Sequence, residues 1–268
     1  IVDGIKSTRV FSADLRYTWN YRRFRGSIGA YFTDMNDASE RYGFWDEQLN
    51  AFCNFALTGV HRQYKGIELG MAYQITSAIR VSVAGNFSRY RYVNNPMGVR
   101  SVENGLQPDK TSQFYLKNYY CTSTPMTALN FAVAYNAPKN WYFNADASWL
   151  ADYYVRLAYP RHEVIDKLPQ YAGSPENLAT LVDQFTDQEK LPNNWVVNAS
   201  VGKNIYFNRK VSLNLNVSVS NIINNRNLIT QATEQSRIDT KYYNPNAFPT
   251  KYQYAQGIKV FVNAGVRF

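Results

Sequence analysis

The sequence is dominated by an alternation of apolar and polar side chains that repeats every second residue. In the first such segment, polar residues separate the members of an apolar phase made of Phe11, Ala13, Leu15, Tyr17 and Trp19. Because successive side chains of a β-strand point to opposite faces, this period predicts a strand with one apolar and one polar face. The alternation predicts nine strands, at about 10–21, 24–35, 62–75, 79–93, 126–136, 140–154, 194–206, 210–222 and 256–268. An all-β fold is therefore expected.

The connections between these strands are alternately short and long. The short ones lie near 22–24, 76–78, 137–140 and 206–210, and the long ones at 36–61, 94–125, 155–193 and 223–255. Tight turns at one end and long loops at the other are typical of a transmembrane antiparallel β-barrel, with the turns in the periplasm and the loops outside the cell. The strands are also about 10 to 13 residues long, which suits a tilted membrane span better than the usual globular strand of about 5 to 6 residues.

Charged and aromatic side chains fit the depth profile of such a barrel. Lys65, Arg89 and Lys203 belong to apolar phases, but each lies beyond the apolar run of its strand, where a lipid-facing charge costs least. Four tryptophans lie at strand ends in the apolar phase: Trp19, Trp141, Trp149 and Trp195. We expect them to form two interfacial belts, because amphipathic rings are favoured there. The polar phase predicts a hydrated lumen, in which Gly66 and Gly70 are small inward-facing residues.

Charge and motifs argue against several other classes of protein. The net charge is +9, but basic residues cluster at the short turns and form no aromatic-interleaved stripe, so no nucleic-acid partner is expected. No nucleophile elbow or phosphate-binding loop occurs, so neither an enzyme function nor a cofactor is expected. His61 and His162 lie in predicted loops without a His, Asp or Glu neighbour at ligand spacing. We therefore expect solvated histidines and no metal site.

Two features of the predicted loops leave alternatives open. Cys53 and Cys121 lie in successive external loops, where they either form a disulfide or remain unpaired buried thiols. Ser174 and Pro175 have the character of a helix N-cap and first helical residue. Apolar residues follow at helical spacing: Leu178, Leu181, Val182 and Phe185. They predict a short helix at about 175–186, which either packs on its own loop or contacts a partner or gates the mouth.

The C-terminal part of the sequence resembles a known family. The stretches that carry the likeness are Asn-Trp195-Val-Val-Asn-Ala-Ser-Val-Gly, Val217-Ser-Val-Ser-Asn221-Ile-Ile-Asn, and the segment from Tyr254 to Phe268. They resemble the end of TonB-dependent outer-membrane receptors, and most closely the SusC-type branch of Bacteroidetes. Lys65-Gly-Ile-Glu-Leu69 is similar to the beginning of a strand in that family. The likeness extends over the whole chain by pattern, and is strongest in the last 75 residues or so.

The resemblance implies a barrel of 22 strands around an N-terminal plug. This chain would supply strands 14 to 22, and its strand at 10–21 would pair with the remainder of the receptor. The sequence opens at Ile1 without an initiator Met or a targeting signal, so we expect an internal start in a split, cleaved or partial receptor. The plug and the N-terminal segment that engages TonB would lie outside this chain.

The function implied by the resemblance is import of glycans or oligopeptides across the outer membrane, with a SusD-type surface lipoprotein as a lid. Three alternatives remain: a siderophore or cobalamin receptor of the same architecture, a structural or adhesive barrel, and a soluble lectin-like sandwich. A compact mouth with clustered basic residues would favour a metal chelate, and long loops with a lipoprotein partner would favour glycan or peptide.

Loop aromatic residues are the candidate ligand contacts, because rings stack on sugars and peptides. The candidates are Trp45, Tyr115, Tyr119, Tyr120, Tyr242 and Tyr243. The same rings could instead pack the loops together. The closing apolar phase includes Ala264, Val266 and the terminal Phe268, and it is similar to the insertion signal that the barrel-assembly machinery reads.

Overall fold

The computed structural model describes residues 5–47, 49–103, 105, 107–121, 124–163, 165, 168–207, 211–239, 241–242, 244 and 246–268. Its strands are β1 (Arg9–Tyr21), β2 (Phe24–Asp46), β3 (Ala51–Gln74), β4 (Ile79–Tyr92), β5 (Met97–Val102), β6 (Lys110–Gln113), β7 (Thr127–Ala137), β8 (Trp141–Ala151), β9 (Asn194–Tyr206), β10 (Ser212–Ser220), β11 (Ile229–Thr233), β12 (Lys251–Tyr254) and β13 (Lys259–Arg267). The helices are α1 (Tyr159–Glu163), α2 (Pro169–Ala172) and α3 (Pro175–Thr186), and a 3₁₀ turn spans Pro138–Asn140. Within the described ranges, no helix combines the length and apolar character that a membrane span requires.

Nine long strands form one antiparallel wall in the order β1-β2-β3-β4-β7-β8-β9-β10-β13. The short strands β5 and β6 extend the wall through the upper part of β3, and β11 and β12 form a separate two-stranded sheet. In this wall each strand pairs with the long strands that precede and follow it in the chain, which is the up-and-down order of a barrel. Among the strands that the structure describes, β1 and β13 each pair on one side only, and nearly all of their residues are exposed. The wall therefore has two open edges.

Residues that face each other across the wall share chemical character. On one face, Phe131 pairs with Val83 of β4 and with Ala147 of β8. On the other face, Asn130 pairs with Ser148 and donates from its Nδ2 to the Ser148 Oγ at 2.9 Å. Because the strands pair residue by residue, the sequence alternation becomes one continuous apolar face and one continuous polar face.

The apolar face is exposed over its whole width. Exposed members include Ile28, Ile67, Met71, Phe87, Phe131, Val133, Phe143, Val217 and Val262. Trp149 and Trp195 pair directly at the long-loop end, and Trp141 lies at the short-turn end. A soluble sandwich buries such a face against a second sheet, whereas a membrane barrel presents it to lipid between two aromatic girdles. We call the exposed apolar face the outer face, and the polar one the inner face.

The prediction of a long loop at 36–61 is wrong. β2 continues to Asp46 and β3 begins at Ala51, so the two strands rise together as a tall hairpin beyond the other strands. The upper hairpin packs against external loops, in an apolar cluster that includes Phe44, Cys53, Phe55, Leu57 and Phe114. Because the upper hairpin is buried against these loops, β2 and β3 remain paired beyond the residues at which the apolar–polar alternation ends.

Several predicted strand ends also differ from those observed. β8 ends at Ala151, three residues before the predicted end, where Asp152 adopts a left-handed φ of 54°. β10 ends at Ser220, before Asn221, which has a φ of 55°. The predicted loops at 94–125 and 223–255 contain β5, β6, β11 and β12, so they are partly ordered as sheet.

The short helix predicted at 175–186 is confirmed as α3. Ser174 caps it, with its Oγ accepting a hydrogen bond from the Asn177 backbone N–H at 3.2 Å. The apolar side of α3 packs into a cluster with Ile165 and Leu168 of the same loop. The helix packs on its own loop and also on Tyr115 and Ile238 of two other loops, while the alternative role in contacting a partner or gating the mouth stays a prediction.

Candidate functional site

The inner face ends, on the external side, in a cleft between the tall β2–β3 hairpin and the loops that pack on it. Its volume is about 320 Å³. The lining residues are Glu40, Arg41, Tyr42, Arg62, Tyr92, Tyr120, Cys121, Arg156, Leu157 and Tyr159. We call it the inner cleft. Arg62 belongs to the inward phase of β3, so the polar face of the wall leads directly into this cleft.

Glu40 is the centre of the inner cleft. Its Oε2 accepts hydrogen bonds from the hydroxyl groups of Tyr92, at 3.0 Å, and of Tyr159. Its Oε1 lies 2.9 Å from the Arg62 Nη1. The Glu40 and Arg62 side chains are only 13% and 22% exposed. A carboxylate so enclosed requires a cation and hydrogen-bond donors, and these neighbours supply both.

The two tyrosines of this network remain hydroxyl donors at physiological pH. Burial raises the pKa of Tyr159, and the adjacent Glu40 carboxylate raises it further. Burial also raises the pKa of Tyr92, with Tyr159 and Glu40 adding to the effect. The cleft therefore presents neutral hydroxyl groups beside one ion pair.

The remaining charges of the inner cleft are positive. Arg41 and Arg156 line it and are exposed to solvent, while Arg62 is paired with Glu40. A guanidinium group donates up to five hydrogen bonds and binds carboxylates in a bidentate manner. With its tyrosines, the cleft can thus hold a solute that carries hydroxyl and anionic groups.

Cys121 borders the inner cleft, and Cys53 is buried in the apolar cluster of the upper hairpin. Both are free cysteines, so the disulfide considered from the sequence is not formed. Burial raises the pKa of the Cys121 thiol to about 11, and burial also raises the pKa of Cys53. Neither thiol is activated as a nucleophile.

The structure assigns the predicted aromatic residues different surroundings. Tyr120 borders the inner cleft and stacks on Tyr154, with ring centroids 4.1 Å apart. Tyr119 is 4% exposed and donates from its hydroxyl group to the Phe185 carbonyl oxygen at 3.3 Å. Tyr115 packs against the apolar cluster of α3. Tyr115 and Tyr119 therefore hold loops together, and Tyr119 has almost no exposed surface with which to contact a solute.

Trp45 and Tyr242 are more than half exposed, at 54% and 70%, but neither lines the inner cleft. Tyr243 lies outside the described residues. In the closing strand, Val266 pairs with Leu213 on the outer face, and the terminal Phe268 is 91% exposed. Ala264 shares that face, pairing with Leu215. The role of this face in barrel assembly stays a prediction.

The prediction of solvated loop histidines is wrong. His61 belongs to β3, and its Nε2 lies 2.8 Å from the Asp34 Oδ1. His162 is completely buried, and its Nε2 lies 3.2 Å from the Glu234 Oε2 of a distant loop. Burial alone would raise the pKa of Glu234, but His162 and the Ala158 N–H hold it below its usual value. Among the described residues, no three His, Cys, Asp or Glu side chains are grouped to hold a metal ion.

The central residues of the inner cleft were missed from the sequence. Glu40 lies inside the predicted loop at 36–61, and Arg62 is the first residue of the predicted strand at 62–75. Continuing the inward phase of β3 past Tyr64 leads to Arg62, so a signal for that residue existed. Tyr159 lies 119 positions after Glu40, and no local pattern joins them.

No protein-family model and no curated protein matches the sequence. Solved structures do match its fold, among them two transporters. The FrpB iron transporter from Neisseria meningitidis matches 100% of this chain over 32% of its own, with a TM-score of 0.56 and 14% identity. The copper transporter OprC matches 99% of this chain over 32% of its own, with a TM-score of 0.54 and 14% identity. The chain thus spans about a third of the length of these structures.

This likeness confirms the fold class. The antiparallel, nearly all-β sheet has the fold of part of these two transporter structures. The total number of strands in the complete barrel stays a prediction.

Proposed function

We propose that the chain forms part of the wall of a TonB-dependent outer-membrane importer and supplies part of its lumen and external mouth. The observation that carries the proposal is the register of nine long strands. It keeps an exposed apolar face on one side and a hydrogen-bonded polar face on the other. A wall of this kind separates lipid from a hydrated lumen.

The two open edges define the first partner. The unpaired backbone groups of β1 and β13 cannot face hydrocarbon, because each unsatisfied group costs several kcal/mol there. Further strands of the same receptor would pair with both edges and close the cylinder. The plug and the segment that engages TonB would belong to that remainder.

The solute we propose first is a glycan or an oligopeptide, covered by a SusD-type surface lipoprotein. The long external loops and the hydroxyl-rich inner cleft support this choice. The neutral Tyr92 and Tyr159 hydroxyl groups and the exposed Arg156 suit a polar ligand with carboxylate substituents. Trp45 and Tyr242 offer exposed rings for stacking farther out.

A second candidate is an anionic metal chelate. Clustered basic residues are the feature expected of a receptor for such a chelate. Three arginines line the inner cleft: Arg41, Arg62 and Arg156. FrpB is an iron transporter and OprC a copper transporter, which agrees with this candidate at the level of the fold. The two candidates differ in the ligand that the arginines would bind.

The membrane proposal is tested by detergent phase partition of the complete polypeptide that contains this chain. We expect it in the detergent phase and in outer-membrane fractions. Recovery in the aqueous phase would contradict the proposal and favour a soluble protein.

The solute is tested by calorimetric titration of the same purified receptor with acidic oligosaccharides, oligopeptides and a ferric chelate. Replacing Arg41 and Arg156 by Gln should weaken binding of the true ligand about tenfold or more, since charge-assisted hydrogen bonds are lost. The control Arg80→Gln/Lys139→Gln removes two charges at the short-turn end and should leave the affinity unchanged. Binding of the chelate alone would replace the first candidate by the second.

A further inference from the structure

The positive charge of the chain is concentrated at the short-turn end of the wall. Four segments surround the short turns, and together they contain eight of the 29 Lys and Arg residues but none of the 20 Asp and Glu residues. The other residues are therefore almost neutral as a set. A surface with charge of one sign attracts a partner of the opposite sign. The four segments are 17–28, 70–84, 134–145 and 200–216.

A basic and aromatic cluster lies on the outer face at this end. Lys203 of β9 pairs in register with Trp141 of β8 and with Leu215 of β10, so it belongs to the outer face. Its Nζ lies 4.8 Å from the centroid of the Trp141 ring, at the distance of a cation–π contact. Lys139 is exposed in the 3₁₀ turn just before Trp141, and this turn lies against β9. We call Lys139, Trp141 and Lys203 the basic–aromatic cluster.

The two lysines of this cluster are not neutralised by carboxylates of the described residues. Neither Lys139 nor Lys203 has a carboxylate oxygen within ion-pair distance there. The nearest carboxylate along β8, that of Asp146, belongs to the inner face, where Asn130 and Asn198 donate hydrogen bonds to it. An anion that approaches the outer face at this end therefore meets two uncompensated positive charges.

The cluster lies at the level of lipid headgroups in the proposed membrane placement. Eight residues of β8 separate Trp141 from Trp149, which pairs with Trp195 at the long-loop end. Eight strand residues span about 26 Å, and a tilt of about 40° reduces this to a height of about 20 Å. Aromatic girdles flank an apolar band about 25 Å tall, so Trp141 marks the boundary on the short-turn side.

An apolar groove of about 470 Å³ adjoins the cluster on the outer face, towards the middle of the wall. Its floor consists of Ala145 and Ala199, which pair across β8 and β9. Asn144 and Ser200 also border it, but their side chains hydrogen-bond to each other on the inner face, so they contribute only backbone atoms. Larger outward-facing side chains surround the two alanines: Val133, Tyr135, Phe143, Val201, Val217 and Val219.

The groove and the cluster are continuous, because Phe143 and Val201 pair in the row next to Trp141 and Lys203. The Trp141 ring stacks on Phe143, with ring centroids 6.4 Å apart. A groove with small residues at its floor lets a hydrocarbon chain contact the wall on several sides, and such contacts are collectively strong. The ligand that fits both parts carries an acyl chain on an anionic headgroup.

We propose that the groove and the cluster bind one anionic phospholipid of the leaflet on the short-turn side. Lys139 and Lys203 would bind the phosphate oxygens through charge-assisted hydrogen bonds, and an acyl chain would lie over Ala145 and Ala199. A headgroup with a net negative charge is preferred to a zwitterionic one, because the lysines repel an ammonium group. The inference rests on the proposed membrane placement and is independent of the imported solute.

The test uses the complete receptor, purified in detergent and freed of lipid, with native mass spectrometry to count bound lipids. The probes are dioleoyl phosphatidylglycerol, dioleoyl phosphatidylethanolamine and millimolar inorganic phosphate. We expect one phosphatidylglycerol to bind more tightly than phosphatidylethanolamine, and inorganic phosphate not to displace it. Lys139→Gln/Lys203→Gln should weaken phosphatidylglycerol binding about thirtyfold, at about fivefold for each lysine.

Three further variants separate a site from general attraction. Arg22→Gln/Arg23→Gln removes two positive charges at another short turn and should retain the preference. Lys139→Arg/Lys203→Arg keeps both charges and should retain binding. Ala199→Leu fills the floor of the groove without changing the charge. It should weaken binding about tenfold, as expected when roughly two methylene groups of the acyl chain lose their contacts.

Four outcomes would overturn the inference: equal binding of the two lipids, equal loss in both Gln variants, unchanged binding in Ala199→Leu, or displacement by inorganic phosphate. If the receptor still partitions into the detergent phase, these outcomes leave the proposed function intact. Recovery in the aqueous phase would instead contradict the membrane placement itself.

Discussion

At the scale of single residues, burial rather than sequence spacing determines the chemistry of the external region. Cys121 shows this clearly, because its thiol lies beside polar groups yet is largely buried at the edge of the inner cleft. Burial raises its pKa to about 11, so about one Cys121 thiol in a thousand is ionised at pH 8. A thiol with the ordinary pKa of about 8.5 is ionised in about one case in four.

We therefore predict that alkylation of Cys121 in the folded receptor is at least about a hundredfold slower at pH 8 than in the unfolded chain, because only the thiolate reacts. The rate should rise about tenfold per pH unit until the pH approaches 11, since the raised pKa shifts ionisation upward. Peptide mapping by mass spectrometry after timed exposure to iodoacetamide distinguishes Cys121 from Cys53. Rapid labelling of Cys121 at pH 8, or a linked Cys53–Cys121 peptide, would contradict the structure.

At the scale of elements, the inner face is shaped by aromatic rings that lie across glycines. A Cβ added at Gly66 of β3 would lie 2.5 Å from the Tyr31 Oη and 2.8 Å from the Phe87 carbonyl oxygen. At Gly70, four residues along the same strand, the added Cβ would meet only the Ser27 Oγ, at 3.4 Å. Gly66 and Gly70 therefore differ in how well they tolerate a larger residue, although they share one strand and one face.

We predict that Gly66→Ala lowers the free energy of unfolding by about 1 to 3 kcal/mol, because a backbone oxygen cannot move aside as a side chain can. The matched Gly70→Ala variant should change it by less than about 0.5 kcal/mol. Urea titration of the receptor in lipid vesicles, followed by tryptophan fluorescence, measures both. Equal destabilisation by the two substitutions would show that the ring across Gly66 is not a constraint.

The elements also show what the sequence could and could not predict. The nine long strands followed from the alternation, because each face of the wall carries one kind of side chain along its whole length. The tall hairpin did not follow from the alternation. Its upper part depends on distant loop residues such as Phe114, which belongs to one apolar cluster with Phe44 and Phe55. The cleft around Glu40 was missed for the same reason, because Tyr159 reaches it through tertiary folding alone. The cap at Ser174, a local feature, was predictable.

At the scale of the whole molecule, the proposed membrane placement requires lipid against one face of the wall and water against the other. Val133 tests this, because it is outward-facing, 42% exposed and paired with Val81 and Ala145. It lies four residues from the end of β7, which puts it well inside the apolar band. Its neighbour Ala132 faces inward and pairs with Asp146.

We predict that Val133→Arg lowers the free energy of unfolding in lipid vesicles by about 2 to 4 kcal/mol, the cost of a lipid-facing arginine near the midplane. Ala137→Arg keeps the outward face but lies at the interface, where the cost falls to about 0 to 1 kcal/mol. Ala132→Arg faces the lumen beside the Asp146 carboxylate and should change stability by less than about 1 kcal/mol. Urea titration of the complete receptor in vesicles measures all three variants. If the outer face contacts hydrocarbon, the loss of unfolding free energy is larger at Val133 than at Ala137 and small at Ala132. Equal losses at Val133 and Ala132 would mean that the apolar face does not contact lipid.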